Sequence, residues 1–134
     1  MNCIFCRIIK GELPARVVKE TEGAIAFLDI DPIQKGHVLV LPKRHVPDLT
    51  DMTIEENTVV MSLCQNVMKS IRECYPAESV TIMQNNGACM EVPHVHFHII
   101  PRFSEDGFKV VEPVIEISDG EMDEIARQLK SNMV

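Results

Sequence analysis

The sequence predicts an α+β fold in which short antiparallel strands pack against one long helix. Three observations carry this. Apolar runs of strand length recur at Ala24 to Asp29, His37 to Leu41, Ser79 to Gln84 and His94 to Ile100, separated by segments holding Gly, Pro or Asn turn signals. Thr53-Ile-Glu-Glu56 has the form of a capping box and opens one long stretch of helical periodicity. Ser118-Asp-Gly-Glu121 has the same form near the C-terminus. Short strands joined by tight turns around one long helix suggest an antiparallel sandwich of sheet and helix.

The elements follow in order. Cys3 to Lys10 is a short apolar segment ended by Gly11, and its type is ambiguous. Arg16 to Lys19 is a short strand candidate. Ala24 to Asp29 reads as a strand stopped by Asp31-Pro32, and Lys35-Gly36 as a turn. His37 to Leu41 is a strongly apolar strand closed by Pro42. The long helix runs from Thr53 to about Cys74 and stops at Pro76. Val60, Cys64, Val67 and Ile71 recur along it at helical spacing, and Val59, Leu63 and Met68 widen the stripe. So wide a face fits either contact with a second subunit or deep burial within one. Ser79 to Gln84 is a strand that leads into the Asn85-Asn86-Gly87 turn. Met122, Ile125, Ala126 and Leu129 form the stripe of a C-terminal helix.

A chain of 134 residues fits one domain and is long enough to bury a core. An apolar fraction of 46% and a charged fraction of 25% are those of a soluble globular protein. No apolar run approaches membrane-spanning length, and the N-terminal stretch does not read as a secretory signal. The formal charge of −7 argues against broad binding to nucleic acid or anionic membrane. It leaves room for a phosphorylated small molecule in one local pocket. The five cysteines, an odd number, favour a reducing compartment and free or metal-bound thiols. Cytoplasm is the expected location.

The most informative segment is Pro93-His94-Val95-His96-Phe97-His98-Ile99-Ile100-Pro101-Arg102. It holds three of the chain's five histidines in strict alternation with apolar residues. In a half-buried strand this places three imidazoles in one row and Val95, Phe97 and Ile99 on the opposite face. Core packing has no need of such a row, because aliphatic side chains fill a face at lower desolvation cost. Imidazole is the side chain suited to nucleophilic, acid–base or metal chemistry near neutral pH. Cys3-x-x-Cys6 by itself fits a redox pair, a metal pair or chance spacing.

The run His94-Val-His-Phe-His-Ile-Ile100 matches the signature of the histidine triad family, and the chain resembles its small nucleoside phosphoramidase branch. Cys3 to Pro14, Ala26 to Pro32, Gly36 to His45 and Asn85-Asn-Gly87 also look like family segments, in family order. The likeness spans about residues 3–103, with 104–134 as a C-terminal extension and helix within one domain, 1–134. It implies a five-stranded antiparallel sheet that joins a second subunit into a ten-stranded sheet. It also implies a purine nucleoside 5′-phosphate ligand and no organic cofactor.

By the same resemblance His96 is the nucleophile that forms a nucleotidyl-histidine, which water then hydrolyses to the nucleoside monophosphate. A backbone carbonyl near Pro93 or His94 is expected to hold its other ring nitrogen. His98 matches a donor to phosphate oxygens, Asn85 a further phosphate contact, and Asp29 the carboxylate that takes the ribose hydroxyls. Phe5, Ile8, Phe27 and Ile30 match the apolar slot for the base, although by residue type alone they read as ordinary core. A subset of the family binds zinc through residues that here are Cys3, Cys6, His45 and His94. Two thiolates and two imidazoles make a closed, structural tetrahedral site. His37 reads as structural and Lys43-Arg44 as a solvated basic pair.

One departure matters. Gly87-Ala-Cys-Met-Glu-Val-Pro93 is about two residues shorter than the matching family loop. Met90 stands where Gln is expected, and a thioether cannot replace an amide donor. Glu91 adds a like charge nearby, and Cys89 reads as an inert small residue. Three other functions stay open at this stage: dinucleoside polyphosphate hydrolysis, nucleotide binding without turnover in a scaffold dimer, and a catalytic metal held by the three alternating histidines.

Overall fold

The computed structural model describes residues 2–133. Its elements are α1 (Ile4–Ile9), β1 (Val17–Glu20), β2 (Ala24–Leu28), β3 (Val38–Pro42), α2 (Ile54–Cys74), β4 (Ser79–Met83), β5 (Phe97–Arg102) and α3 (Asp119–Ser131). The expected α+β class is found. The strands form a five-stranded sheet in the order β1-β2-β3-β5-β4, and every neighbouring pair is antiparallel. The ambiguous N-terminal segment is the short helix α1, whose first turn is capped by Cys3 Sγ accepting from the Cys6 amide.

Alternation along the central strands divides the core in two. Ala24, Ala26, Val38, Val40, Val95, Phe97 and Ile99 pack with Val60, Leu63, Cys64, Val67 and Ile71 of α2. Ile25, Phe27, Leu39 and Leu41 point the other way and pack with Cys3 and Phe5. Both sides of β2 and β3 are therefore buried, which is why these strands read as continuous apolar runs.

The helix α2 begins with the full capping box: Thr53 Oγ1 accepts from the Glu56 amide, and Glu56 accepts from the Thr53 amide. Its wide stripe docks on β2, β3 and β5 of the same chain. Gly36 precedes β3 with φ of +88°, and a Cβ there would meet Tyr75 at 3.0 Å and Pro101 at 3.1 Å. Glycine is the residue that serves such a turn.

The C-terminal stretch departs from the sheet. Arg102 holds its start, bonding Asp106 at 2.8 Å, the Phe108 carbonyl at 2.8 Å and Thr81 at 3.0 Å. Beyond it α3 forms with Ser118 capping the Glu121 amide; the reciprocal half of the expected box is absent. The expected stripe lies on the helix but faces solvent, with Met122 54% and Leu129 60% exposed. Among the described residues no helix is long and apolar enough to cross a membrane.

Candidate nucleotide site and metal centre

Only His98 of the three alternating histidines lies within β5; regular pairing begins at Phe97. The strand expected from His94 therefore starts three residues later. The segment before it is nonetheless fixed, because the Val95 amide donates to the Val46 carbonyl at 2.7 Å. Val95, Phe97 and Ile99 enter the α2 side of the core, which leaves the histidines to the other side. There His94 and His96 are buried and His98 is partly so.

The three rings do different things. His94 Nε2–H donates to the Pro42 carbonyl at 2.8 Å, so Nδ1 keeps its lone pair. That nitrogen lies 3.5 Å from Cys3 Sγ and 3.6 Å from Cys6 Sγ, and His45 Nδ1 lies 3.4 Å from Cys6 Sγ. A tetrahedral zinc with ordinary Zn–S and Zn–N bonds separates sulfur from nitrogen by about 3.6 Å. Cys3, Cys6, His45 and His94 thus have the donor chemistry and spacing for a closed tetrahedral site, with a carbonyl as outer partner.

His96 turns its Nδ1 to the His94 carbonyl at 2.7 Å. The carbonyl can only accept, so Nδ1 carries the proton and the lone pair is on Nε2. This is the backbone partner anticipated from the sequence. The edge of one ring meets the face of the other between His96 and Phe5, with centroids 5.0 Å apart. With His94 turned to the cysteines and His96 to a carbonyl, the three triad rings do not converge on one metal, and that expectation is overturned.

His98 belongs to a chain of donors that the sequence did not reveal. The Ile33 amide donates to His37 Nδ1 at 3.1 Å. His37 must then carry its proton on Nε2, which lies 3.0 Å from His98 Nδ1 and 3.5 Å from Asp29 Oδ2. Accepting at Nδ1 leaves neutral His98 with its proton on Nε2. Burial, followed by the neighbouring His96 and His37 rings, pushes His98 down to about 4 against the opposing pull of Asp29. Burial also lowers His37. Both rings are neutral at pH 7. Asp29, His37 and His98 are close enough together to suggest a metal. The proton on His37 Nε2 occupies the coordinating lone pair, so this group is a hydrogen-bond relay. His37 is therefore not the isolated structural residue expected. It shares a sheet face with Leu39, and Leu39 pairs with His98. That signal depends on knowing that β3 lies beside β5.

A cavity of about 350 Å³ opens against these groups. Phe5, Ile8, Phe27 and Ile30 line it together with Asp29, His96 and His98. Phe5 and Phe27 are also buried in the core, as their residue type suggests; Ile30 is 77% exposed and is not core. Asn85 is exposed and does not line the cavity, lying two residues beyond the Met83–His98 pair. Glu91 lines it, whereas Met90 and Cys89 do not, and among the described residues no Lys, Arg, Asn or Gln does. Lys43 pairs with Glu20 at 2.7 Å and Arg44 with Glu56 at 2.8 Å, away from the cavity.

The fold and the alternating histidines define a histidine triad protein, and comparison with known proteins agrees. The HIT domain profile matches residues 10–105, and the chain belongs to that family. It is 39% identical to the adenosine 5′-monophosphoramidase hnt1 of Schizosaccharomyces pombe, covering 99% of each chain. A crystal structure of a HIT family protein from Bacillus subtilis superposes with a TM-score of 0.95 at 33% identity, covering 100% of this chain and 99% of that one. A Zn-bound histidine triad family protein from Mycobacterium smegmatis superposes with a TM-score of 0.75 at 34% identity, covering 99% of both.

Proposed function

We propose that this protein is a nucleotide hydrolase that cleaves purine nucleoside 5′-phosphoramidates or related adducts. The observation that carries the reading is the His96 Nδ1–H bond to the His94 carbonyl, which leaves Nε2 as a free lone pair in a cavity. Neutral His98, with its proton on Nε2, is the neighbouring donor, the two ring centroids being 5.0 Å apart. In this reading His96 Nε2 attacks the α-phosphorus, the P–N bond breaks, and the amine leaves with its electron pair and takes up a proton. His98 donates to the phosphate oxygens as charge builds. Water then attacks the nucleotidyl-histidine, releasing the nucleoside monophosphate and freeing His96. Asp29 takes the ribose hydroxyls, and Phe5, Ile8, Phe27 and Ile30 receive the base. Asn85 reaches phosphate only if its loop turns inward.

Dinucleoside polyphosphate hydrolysis is disfavoured, because Asp29, Asp31 and Glu91 line the cavity and, among the described residues, no lysine or arginine does. Nucleotide binding without turnover is the second reading. It is favoured because, among the described residues, no side-chain amide lines the cavity, and Met90 stands in the nearby loop where the family resemblance expects glutamine.

Zinc at Cys3, Cys6, His45 and His94 completes the proposal, supported by four donor atoms that lie within 4.8 Å of one another. Bound there, the ion supplies no open coordination position and so serves structure. One domain, paired with a second copy through its sheet, fits the partly exposed edge strand β4, where Ile82 is 41% exposed. Free cysteines throughout the described residues fit the cytoplasm.

Release of AMP from adenosine 5′-phosphoramidate tests the function. Release by wild type that is lost in His96→Ala is the expected result. AMP binding without release by wild type moves the assignment to the binding reading. Unchanged release by His96→Ala removes His96 as nucleophile.

A further inference from the structure

The metal centre and the cavity share no residue, but both draw on the same two short segments: Cys3 and Cys6 alternate with Ile4, Phe5 and Ile8, and His94 precedes His96 and His98. His94 offers its ring to the cysteines and its main-chain carbonyl to His96. Cys3 and Cys6 flank Phe5 on α1, and Cys3 caps that helix. Phe5 lies edge-on to both His94, at 6.0 Å, and His96, at 5.0 Å. Ile4, Phe5 and Ile8 of α1 form one wall of the cavity.

A helix of six residues has no stability of its own, and α1 has a single buried member, Phe5. Phe5 holds α1 against the sheet with Ile8 and Ile9 packed partly buried beside it, and the donors Cys3 and Cys6 fix its first turn. Releasing those donors removes one restraint from three things together: the wall of the cavity, the ring that packs on His96, and the residue whose carbonyl sets the His96 tautomer, which then keeps only its Pro42 bond and its backbone bonds.

We propose that the Cys3/Cys6/His45/His94 centre positions the nucleophile and the cavity wall, so that metal occupancy and nucleotide binding are thermodynamically coupled. This rests on the zinc and nucleotide assignments above. His94 is the positioning residue in this coupling, since it acts on the cavity through His96. Linkage requires the effect to run both ways: a metal that tightens nucleotide binding is itself held more tightly when nucleotide is present, by the same factor.

The test uses the full chain, loaded with zinc or stripped by a chelator, with AMP as the probe. Calorimetry is expected to show AMP binding weakened about ten-fold on stripping, within the usual range for coupled sites. Competition with a chromophoric chelator is expected to show zinc held tighter by the same factor in saturating AMP. Nitrogen-15 spectra of the His96 ring should show one Nδ1–H tautomer with zinc and a mixture without, a change that a purely stabilising metal would not cause. His45→Ala removes a ligand that neither lines the cavity nor touches His96. It should bind AMP as weakly as stripped protein and recover at high zinc concentration. If stripped protein unfolds, the effect of AMP on zinc release from the loaded form still decides. Equal AMP affinity in folded loaded and stripped protein, or zinc release indifferent to AMP, overturns the coupling and leaves the metal assignment standing. Absence of any zinc binding removes both. Zinc binding without AMP binding removes the coupling and the nucleotide reading.

Discussion

Ala24, Ala26, Val38 and Val40 face α2, while their chain neighbours Ile25, Phe27, Leu39 and Leu41 face α1 and the histidines. The first face is closed by a 21-residue helix and the second by a six-residue one. Alanines on β2 let α2 sit close, and aliphatic side chains from both partners fill the layer. On the second face the short helix leaves a cavity, and imidazoles and thiols occupy positions that aliphatics would fill more cheaply. Burying imidazole is tolerated because each ring is bonded: His94 to Pro42, His96 to the His94 carbonyl, His37 to the Ile33 amide. Among the described residues no buried side-chain nitrogen or oxygen lacks a partner. One face is organised for stability, and the other retains polar groups whose geometry is specified.

Substitutions on the two faces should separate these roles. The largest effect expected is on the second face: His96→Ala should lower phosphoramidate turnover by about 10⁴-fold, as loss of a nucleophile does, with the unfolding midpoint hardly moved. On the first face Leu63→Ala should do the reverse. Leu63 is buried on the sheet-facing side of α2, and its truncation should cost about 2–5 kcal/mol in denaturant unfolding while the folded protein binds AMP as before. Loss of AMP affinity in Leu63→Ala equal to its loss of stability would mean that the faces are not independent.

Acid should act through the second face. His98 titrates near 4 when folded and near its ordinary 6.5 when unfolded. Between those values the unfolded chain binds more protons, so stability rises with pH. The contribution is fully present above pH 6.5 and is lost as pH falls towards 4. It amounts to roughly 2–3 kcal/mol. Denaturant unfolding at intervals from pH 7 to 4 should show the slope, and His98→Gln should flatten it. A ring titration by NMR that places His98 near 6.5 would refute the assigned burial and relay.

How much of each face was legible follows from range. The α2 stripe, its Thr53 cap and the apolar runs of β2 and β3 are local patterns, and they reappear within a residue or two. The His94/His96/His98 alternation was legible as a site because imidazoles are costly in a strand. The His37–His98 contact was not, since it requires the pairing of β3 with β5, which joins residues 61 apart. The Cys3–His94 contact spans 91 residues, and family likeness rather than spacing brought those residues together. The start of β5 was misplaced because the backbone before Phe97 is bonded outside the ladder: the His94 amide donates to the Val92 carbonyl, the Val95 amide to the Val46 carbonyl, and the His94 carbonyl accepts from His96 Nδ1.

The smallest effect sharpens the same contrast between covered and uncovered structure. Thr53 and Ser118 are both N-caps, accepting from the Glu56 and Glu121 amides at 3.1 and 3.2 Å. Replacing such a cap by alanine costs about 1 kcal/mol of helix stability. The helix α2 is buried against the sheet, so its fraying is felt by the whole fold, and Thr53→Ala should lower global stability by about that amount. The helix α3 buries no residue of its own. Ser118→Ala should therefore lower helical signal in circular dichroism while leaving the global midpoint in place. A midpoint that falls as far for Ser118→Ala as for Thr53→Ala would mean that α3 is covered in solution. With Met122 and Leu129 exposed here, the cover would have to come from outside this chain. Repeating the comparison across protein concentrations then decides whether a second copy supplies it, because only an intermolecular contact makes the midpoint concentration-dependent.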